Sequence, residues 1–408
     1  MILVNEKEGI YFLFKFSNSL SEIFDYSKKS FQEINTFLEQ STFIASKKNS
    51  IIRCDNQSNI ENRNGEKLLF HIRKNRNNLI YILENPIPSK LSQSNSDILN
   101  LKLWFVINND KKEDKDNIYK IINKDYFLQK YDIIKFGNIK YIVSELNSKI
   151  EHNEDKDEET LNIKNNDYNI NQLNKDSKTI LDFCPEPKEF YDSPNDKINI
   201  ICDFCKNYKC NEDNPIIRFC DCNLVHFLCL KNYLKEKIIY KTNNKNVKSY
   251  YINGINCKNC NYVYPLKFKS EKYSLIDIKK PTGKNFLILE SIEQKMFYGY
   301  LKLVHLIELN DKVIKIGRGN NNDIIICDPS ISKQHAIIRY NKENGKILLK
   351  NISKKFGTSI LLKNSLKLNE NRIQLQIGKI FLEAQIMKFE DFDKNKDKNT
   401  QDPLPKKD

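Results

Sequence analysis

Between positions 202 and 260 the sequence sets eight metal-type donors in four close pairs: Cys202-x2-Cys205-x14-Cys220-x-Cys222-x3-His226-x2-Cys229-x27-Cys257-x2-Cys260. Thiolate and imidazole are borderline-soft donors that suit zinc, and eight of them saturate two tetrahedral ions. Eight of the eleven cysteines fall in this stretch, leaving Cys54, Cys184 and Cys327 outside it. Cytosolic disulfides are rare, so such cysteines are metal ligands, redox groups or spare thiols. Four pairs and a suitably placed histidine select the first, and two zinc ions are expected. Cys210, in the first loop, reads as a spare thiol.

A chain of 408 residues and 48.2 kDa exceeds the roughly 250–300 residues at which single cores stop growing, so two or three domains are expected. Residues 1–146 carry short aromatic and β-branched runs at Gly9–Phe16, Leu68–His71, Asn78–Ile82, Leu103–Ile107 and Asp132–Val143, with one helix expected over Leu20–Leu38. Residues 147–197 lack periodicity and read as an acidic, flexible linker. The cysteine-rich module occupies 198–270, a second β-rich stretch 285–388, and a charged, disordered tail 391–408. Asp132–Val143 also echoes Arg372–Glu383: an apolar pair, a Gly turn, then an aromatic-containing strand. Two readings stand side by side. Either β-hairpins simply look alike, or both ends of the chain carry one fold whose first copy has lost its site.

The net charge of +14 comes largely from a Lys-, Asn- and Ile-rich composition, which raises basicity without selecting for polyanions. Its distribution is more informative. Residues 149–197 hold 7 Lys against 13 acids, a net −6, whereas residues 311–386 hold 14 basic residues against 6 acids, a net +8. No run approaches the roughly 18–20 apolar residues of a membrane span, and Met1–Glu6 lacks the basic start and apolar core of a signal peptide. An intracellular protein, cytoplasmic or nuclear, with no membrane partner is expected.

The ligand order resembles the RING family in its variant with Cys fourth and His fifth, RING-CH; the single-residue spacing of Cys220-x-Cys222 matches that family's third and fourth ligands. The resemblance implies a cross-brace, with Cys202, Cys205, His226 and Cys229 on one zinc and Cys220, Cys222, Cys257 and Cys260 on the other. It also implies a short helix after the sixth ligand, over Leu230–Ile239, where Leu230, Leu234 and Ile238 recur at i, i+4 and i+8. Such fingers have no catalytic side chain; they orient a charged ubiquitin-conjugating enzyme, which makes a RING-type ubiquitin ligase the implied activity. Two departures stand out: the loop Asn223–Val225 before the His is shorter than RING-CH usage, and Asn261 stands where active ligases often carry a basic residue. The PHD finger shares the ligand order, but spaces its third and fourth ligands more widely and usually has Trp where this chain has Ile255.

Further along come Lys312–Asn320, Asn322–Asp328, Ser330–Ala336 and Leu349–Thr358. Together and in this order they resemble the forkhead-associated (FHA) domain, a β-sandwich that reads phosphothreonine. The resemblance assigns phosphopeptide contact to Arg318, Ser332, Lys333 and Lys355, and structural roles to Gly317, His335, Gly357 and Thr358. The chemistry fits: a dianionic phosphate needs a guanidinium fork with hydroxyl and amide donors, held on loops at one end of a rigid sandwich. Phe356 stands where many members have an Asn that holds the peptide backbone, which leaves the peptide preference open.

The sequence therefore predicts a multidomain, mainly β protein: a β-rich N-terminal domain, a two-zinc RING-CH-like finger and a C-terminal FHA-like sandwich. As an adaptor it would bind a threonine-phosphorylated partner and recruit a ubiquitin-conjugating enzyme. The alternative is a non-enzymatic scaffold that binds phosphoproteins and whose zinc module is only a folded spacer or a protein-binding surface. Nucleic-acid binding ranks third.

Overall fold

The computed structural model describes residues 8–16, 32–38, 41–47, 50–54, 66–75, 80–84, 102–107, 126–148, 186–193, 200–269, 272–292, 294–296, 299–363, 366–368 and 372–388. The expected tail lies outside these residues, as do most of the expected linker and the part of the expected helix before Gln32.

The N-terminal third supplies β1 (Glu8–Phe16), β2 (Gln32–Leu38), β3 (Thr42–Lys47), β4 (Ser50–Cys54), β5 (Glu66–Asn75), β6 (Ile80–Glu84), β7 (Trp104–Ile107), β8 (Tyr126–Phe127), β9 (Ile133–Phe136) and β10 (Ile139–Asn147). The middle supplies β11 (Glu189–Tyr191), β12 (Ile216–Arg218), β13 (Val225–His226), the helix α1 (Phe227–Lys235), β14 (Ile238–Asn244), β15 (Val247–Asn253), β16 (Lys267–Phe268) and β17 (Tyr273–Ser274). The rest supplies β18 (Phe286–Ser291), β19 (Gln294–Met296), β20 (Gly299–Glu308), β21 (Ile314–Gly317), β22 (Ile324–Ile325), β23 (Ala336–Asn341), β24 (Lys346–Asn351), β25 (Thr358–Leu361), β26 (Leu366–Lys367), β27 (Ile373–Ile377) and β28 (Ile380–Lys388). The protein is mainly β, and each expected strand run of the N-terminal third is found. Period-two alternation explains β1 directly, since Ile10, Phe12, Phe14 and Phe16 all turn into the core.

Among the described residues thirteen strands form one sheet, in the order β14-β15-β20-β18-β10-β9-β25-β7-β27-β28-β1-β2 with β19 on β20. Two five-stranded sheets, β22-β21-β23-β24-β8 and β26-β6-β5-β3-β4, share its hydrophobic core. The order is mirrored about the β7–β25 pair. Outward from it, one arm reads β25, β9, β10, β18, β20 and the other β7, β27, β28, β1, β2. Each arm faces a five-stranded sheet of equivalent order. The two hairpins that echo one another in sequence, β9–β10 and β27–β28, occupy equivalent places, which favours the reading of one fold carried twice.

Three expectations need correction. Residues 32–38 are a strand, not the end of a helix: β2 pairs with β1 from Phe16↔Gln32 to Ile10↔Leu38, a long-range ladder that overrides local periodicity. The end of the expected linker is also ordered. There β11 pairs with β12, and Phe190 packs on Tyr273 at 5.6 Å beneath the Lys269 ammonium. The helix begins earlier than expected, at Phe227, and stops at Lys235; Ile238 opens β14, because Ile238-Ile239-Tyr240 is a β-branched and aromatic run with β15 to pair against.

Strand pairing also crosses the interval between the expected zinc and FHA modules, since β15 pairs with β20 from Val247↔Ile307 to Asn253↔Leu301. A second core follows this pairing, joining Cys202, Cys220 and Cys257 to Tyr250, Ile252, Ile288 and Leu306. No helix among the described residues is long and apolar enough to cross a membrane.

Candidate functional sites

The eight expected metal donors converge into two sets, Cys202, Cys205, His226 and Cys229, and Cys220, Cys222, Cys257 and Cys260, with the donor atoms of each set within 4.8 Å of one another. This grouping is the cross-brace. Two knuckles of matching geometry build it. Lys206 N–H donates to the Cys202 carbonyl and Asn261 N–H to the Cys257 carbonyl, both at 2.9 Å, and these two residues carry φ of 58° and 59°. Asn tolerates that left-handed conformation better than most residues, which gives Asn261 a backbone reason to stand after the last ligand. Cys210 lies outside both sets, its thiol 3.5 Å from the Ser193 carbonyl.

His226 shows which nitrogen is available. Its Nε2 lies 2.8 Å from the Lys209 carbonyl, which can only accept, so Nε2 carries the proton. Nδ1 then presents its lone pair to Cys205 Sγ at 3.2 Å and Cys229 Sγ at 3.9 Å. A carbonyl that fixes the tautomer of a ligating His is the usual outer support of a metal site. The thiols tell the same story. Burial pushes Cys257 up, but the N–H groups of Cys260 and Asn259 outweigh it and draw the thiol down to about 6. Cys202 is lowered in the same sense, with burial outweighed by the N–H groups of Cys205, His226 and Phe204. Their neighbours move the other way: the hydrogen bond to Cys260 pushes Cys222 up to about 12, and burial and Cys205 push Cys229 up to about 12. Thiols this close resist ionising together, and a bound dication removes that conflict. Each set could therefore hold a metal ion.

The phosphate-type residues sit where β21 leaves its sheet. Arg318 N–H donates to the Ser332 carbonyl at 2.9 Å, and its side-chain Nε to the Ile331 carbonyl at 3.2 Å. The guanidinium is thus steered by one nitrogen while the exposed side chain keeps its terminal N–H groups for a ligand. Gly317 is needed for this approach, since a Cβ there would lie 2.5 Å from the Lys333 carbonyl. Ser332 Oγ lies 2.7 Å from Ser353 Oγ. Lys333 and Lys355 are exposed; the ammonium of Lys355 lies 4.9 Å from the Phe356 ring centroid. A cavity of about 520 Å³ opens beside Arg318, lined by Gly319, Asn320, Asn321, Asn322, Lys333 and Gln334.

His335 braces these loops. It accepts the Ser332 N–H at Nδ1 (3.1 Å) and donates from Nε2 to the Gly357 carbonyl (2.8 Å). Burial draws its pKa down to about 4, against the opposing Gly357 carbonyl, so the ring is neutral at pH 7. Thr358 donates to Asn351 Oδ1 at 3.0 Å, and Gly357 holds a φ of 65°.

Sequence reasoning missed three supports: Asn322, whose amide donates to the Gly319 and Lys333 carbonyls; Asn351, which accepts from Ser353 N–H and Thr358; and Ser353, which meets Ser332. All three lie in or next to quoted runs, but nothing in their spacing distinguishes a buried amide from an exposed one.

No curated protein matches the chain. The family model of the FHA domain matches residues 314–382, which include Arg318, Ser332, His335 and Gly357, and this stretch of the chain is accordingly an FHA domain.

Proposed function

We propose that the protein is an adaptor that binds a threonine-phosphorylated protein at Arg318 and Ser332 and brings it to a ubiquitin-conjugating enzyme held by a two-zinc, RING-CH-type finger. The observation that carries the first half is the pairing of Arg318 with Ser332: a backbone hydrogen bond sets the two loops together, with the Arg318 side chain exposed and the half-buried Ser332 hydroxyl held against Ser353 Oγ at 2.7 Å. Lys333 and Lys355 would add attraction at longer range. The domain proposed for this reader is residues 285–388, and that for the finger is residues 198–270.

For the second half the support is the two complete donor sets, with zinc as the ion that suits thiolate and imidazole. An apolar surface also lies beside them: Ile201, Phe204 and Leu228 are exposed, while Leu230 and Leu234 are buried. Phe204 packs on Tyr233 at 5.5 Å, which holds the exposed ring in place. One observation favours the non-enzymatic scaffold instead. The finger shares a core with β15, β18 and β20, as a spacer built into the FHA sheet would. Autoubiquitination by the zinc-loaded chain with a panel of conjugating enzymes decides between them. Chain formation that Phe204→Ala abolishes supports the ligase, and no chains with any enzyme supports the scaffold.

A further inference from the structure

The FHA match runs through β27 and into β28, but the strands that pack against the Arg318 loops come from elsewhere. β9 and β10, residues 133–147, pair with β25 and β18. β8 closes the five-stranded sheet beside β24. The hairpin that follows β25 in sequence, β27–β28, instead pairs with β7 and β1, in the other arm. Equivalent hairpins thus lie in opposite arms of the large sheet, each among strands from the other end of the chain.

At the rim, the β9–β10 turn presses on the phosphate loops. Asn138 N–H donates to Ser330 Oγ at 2.9 Å, and Gly137 N–H points to the Gly357 carbonyl at 3.5 Å. Ser330, two residues before Ser332, in turn donates its hydroxyl to Asp328 at 2.5 Å. The Phe136 ring meets the His335 ring edge-on, with centroids 5.8 Å apart. Gly137 has a φ of 55°, and a Cβ on it would lie 2.3 Å from the Ser330 carbonyl. Below the turn, buried Asp132 pairs with buried Lys363 at 3.0 Å, across 231 positions of sequence.

We propose that Phe136, Gly137 and Asn138 are positioning residues of the phosphothreonine site, so that a hairpin from the N-terminal third sets the loops carrying Arg318 and Ser332. This rests on the phosphothreonine reading above. The hairpin adjacent in sequence, β27–β28, serves the other copy. Its turn glycine, Gly378, also has a positive φ of 54° and provides the matched control.

The first test is independent of binding. Full-length, zinc-loaded Asn138→Cys/Ser330→Cys and Lys379→Cys/Ser330→Cys chains are oxidised mildly and their disulfides mapped by mass spectrometry. The 138–330 link should form within one chain and the 379–330 link should not. A 379–330 link, no 138–330 link, or a 138–330 link found only between chains overturns this placement of the hairpins. The second test compares Gly137→Ala with Gly378→Ala. Both strain a positive-φ turn, and both should lower the unfolding midpoint. Only Gly137→Ala should weaken a phosphothreonine peptide, by tenfold or more, with Gly378→Ala within twofold of wild type. Equal losses, or the reverse order, overturn the positioning role. A wild-type chain that ignores phosphorylation while the 138–330 link forms sinks the phosphothreonine reading and leaves the hairpin placement standing.

Discussion

Arg318 and two of the buried histidines, His305 and His335, show how much one side chain can decide. On the proposed reading, Arg318 would give a charge-assisted bond to phosphate, worth roughly 1.5–3 kcal/mol. Arg318→Ala should therefore weaken a phosphothreonine peptide by roughly ten- to a hundredfold, while Lys346→Ala, outside the loops, should act only through screened attraction. Titrating phosphorylated and unphosphorylated forms of one peptide at physiological salt checks both; equal affinity for the two forms contradicts the site. His335 and His305 act on stability in the same sense as a paired carboxylate, because in each case the folded chain holds the pKa below its unfolded value. Burial draws each to about 4; His305 sits with its Nδ1 2.8 Å from Ser249 Oγ and its Nε2 3.3 Å from the Tyr141 hydroxyl. Unfolded, each returns toward about 6.5, so between these values the unfolded chain binds the extra proton. Stability should thus rise with pH from 4 to 6.5, and fall by up to about 3 kcal/mol per histidine as pH drops through that window. Unfolding free energies at pH 7 and 4.5 should converge for wild type and His305→Gln if this is right, and stay parallel if His305 contributes nothing.

Elements were legible where their partners were near in sequence. The four close donor pairs and the strands of alternating or continuous apolar residues follow from spacing; the division of the donors into two sets came with the RING-CH resemblance, and the structure brings Cys202 and Cys205 together with His226 and Cys229 as that cross-brace implies. What was not legible is pairing over long separations. Gln32–Leu38 carries no local mark of a strand until β1 lies beside it, and Glu189–Tyr191 looks like linker until β12 and Tyr273 are there. The Gly-turn echo of Asp132–Val143 in Arg372–Glu383 was visible, but not that each hairpin would lie among strands from the other end of the chain. At this scale the finger makes its own prediction. Phe204 and Leu228 flank the metal loops as exposed apolar residues, whereas Leu230 is fully buried in α1. Leu228→Ala should leave folding intact and reduce ubiquitin transfer together with Phe204→Ala, whereas Leu230→Ala should destabilise the finger by about 2–5 kcal/mol. Circular dichroism melts beside the transfer assay separate the two effects, and a Leu228→Ala chain with full transfer activity would remove this surface from the proposal.

Taken as one molecule, the chain ties its metal sets to the large sheet by backbone pairing, and that sheet shares a core with the five-stranded sheet from which the Arg318 and Ser332 loops emerge. The hairpin β14–β15 lies between Cys229 and Cys257 in sequence, yet β15 is bonded along seven residues to β20, and β20 to β18. Asn244, at the hairpin's tip, bonds to Asp323, which also accepts the Lys315 N–H at 2.7 Å. A metal ion bound by the folded but not the unfolded chain stabilises whatever unfolds with it. The prediction is that two zinc ions bind per chain and that their removal by a chelator lowers the stability of the FHA stretch as well as of the finger. Cys257→Ser should do the same in part, because Cys257 shares its core with Tyr250, Ile252, Ile288 and Leu306. Metal analysis gives the stoichiometry. Hydrogen exchange then reads the two regions separately, through the amides of β20 and β23 on one side and of α1 on the other. Faster exchange in all three on chelation is the expected result. If β20 and β23 keep their protection while α1 loses its own, the zinc sets stabilise only their own loops, and the shared sheet transmits nothing.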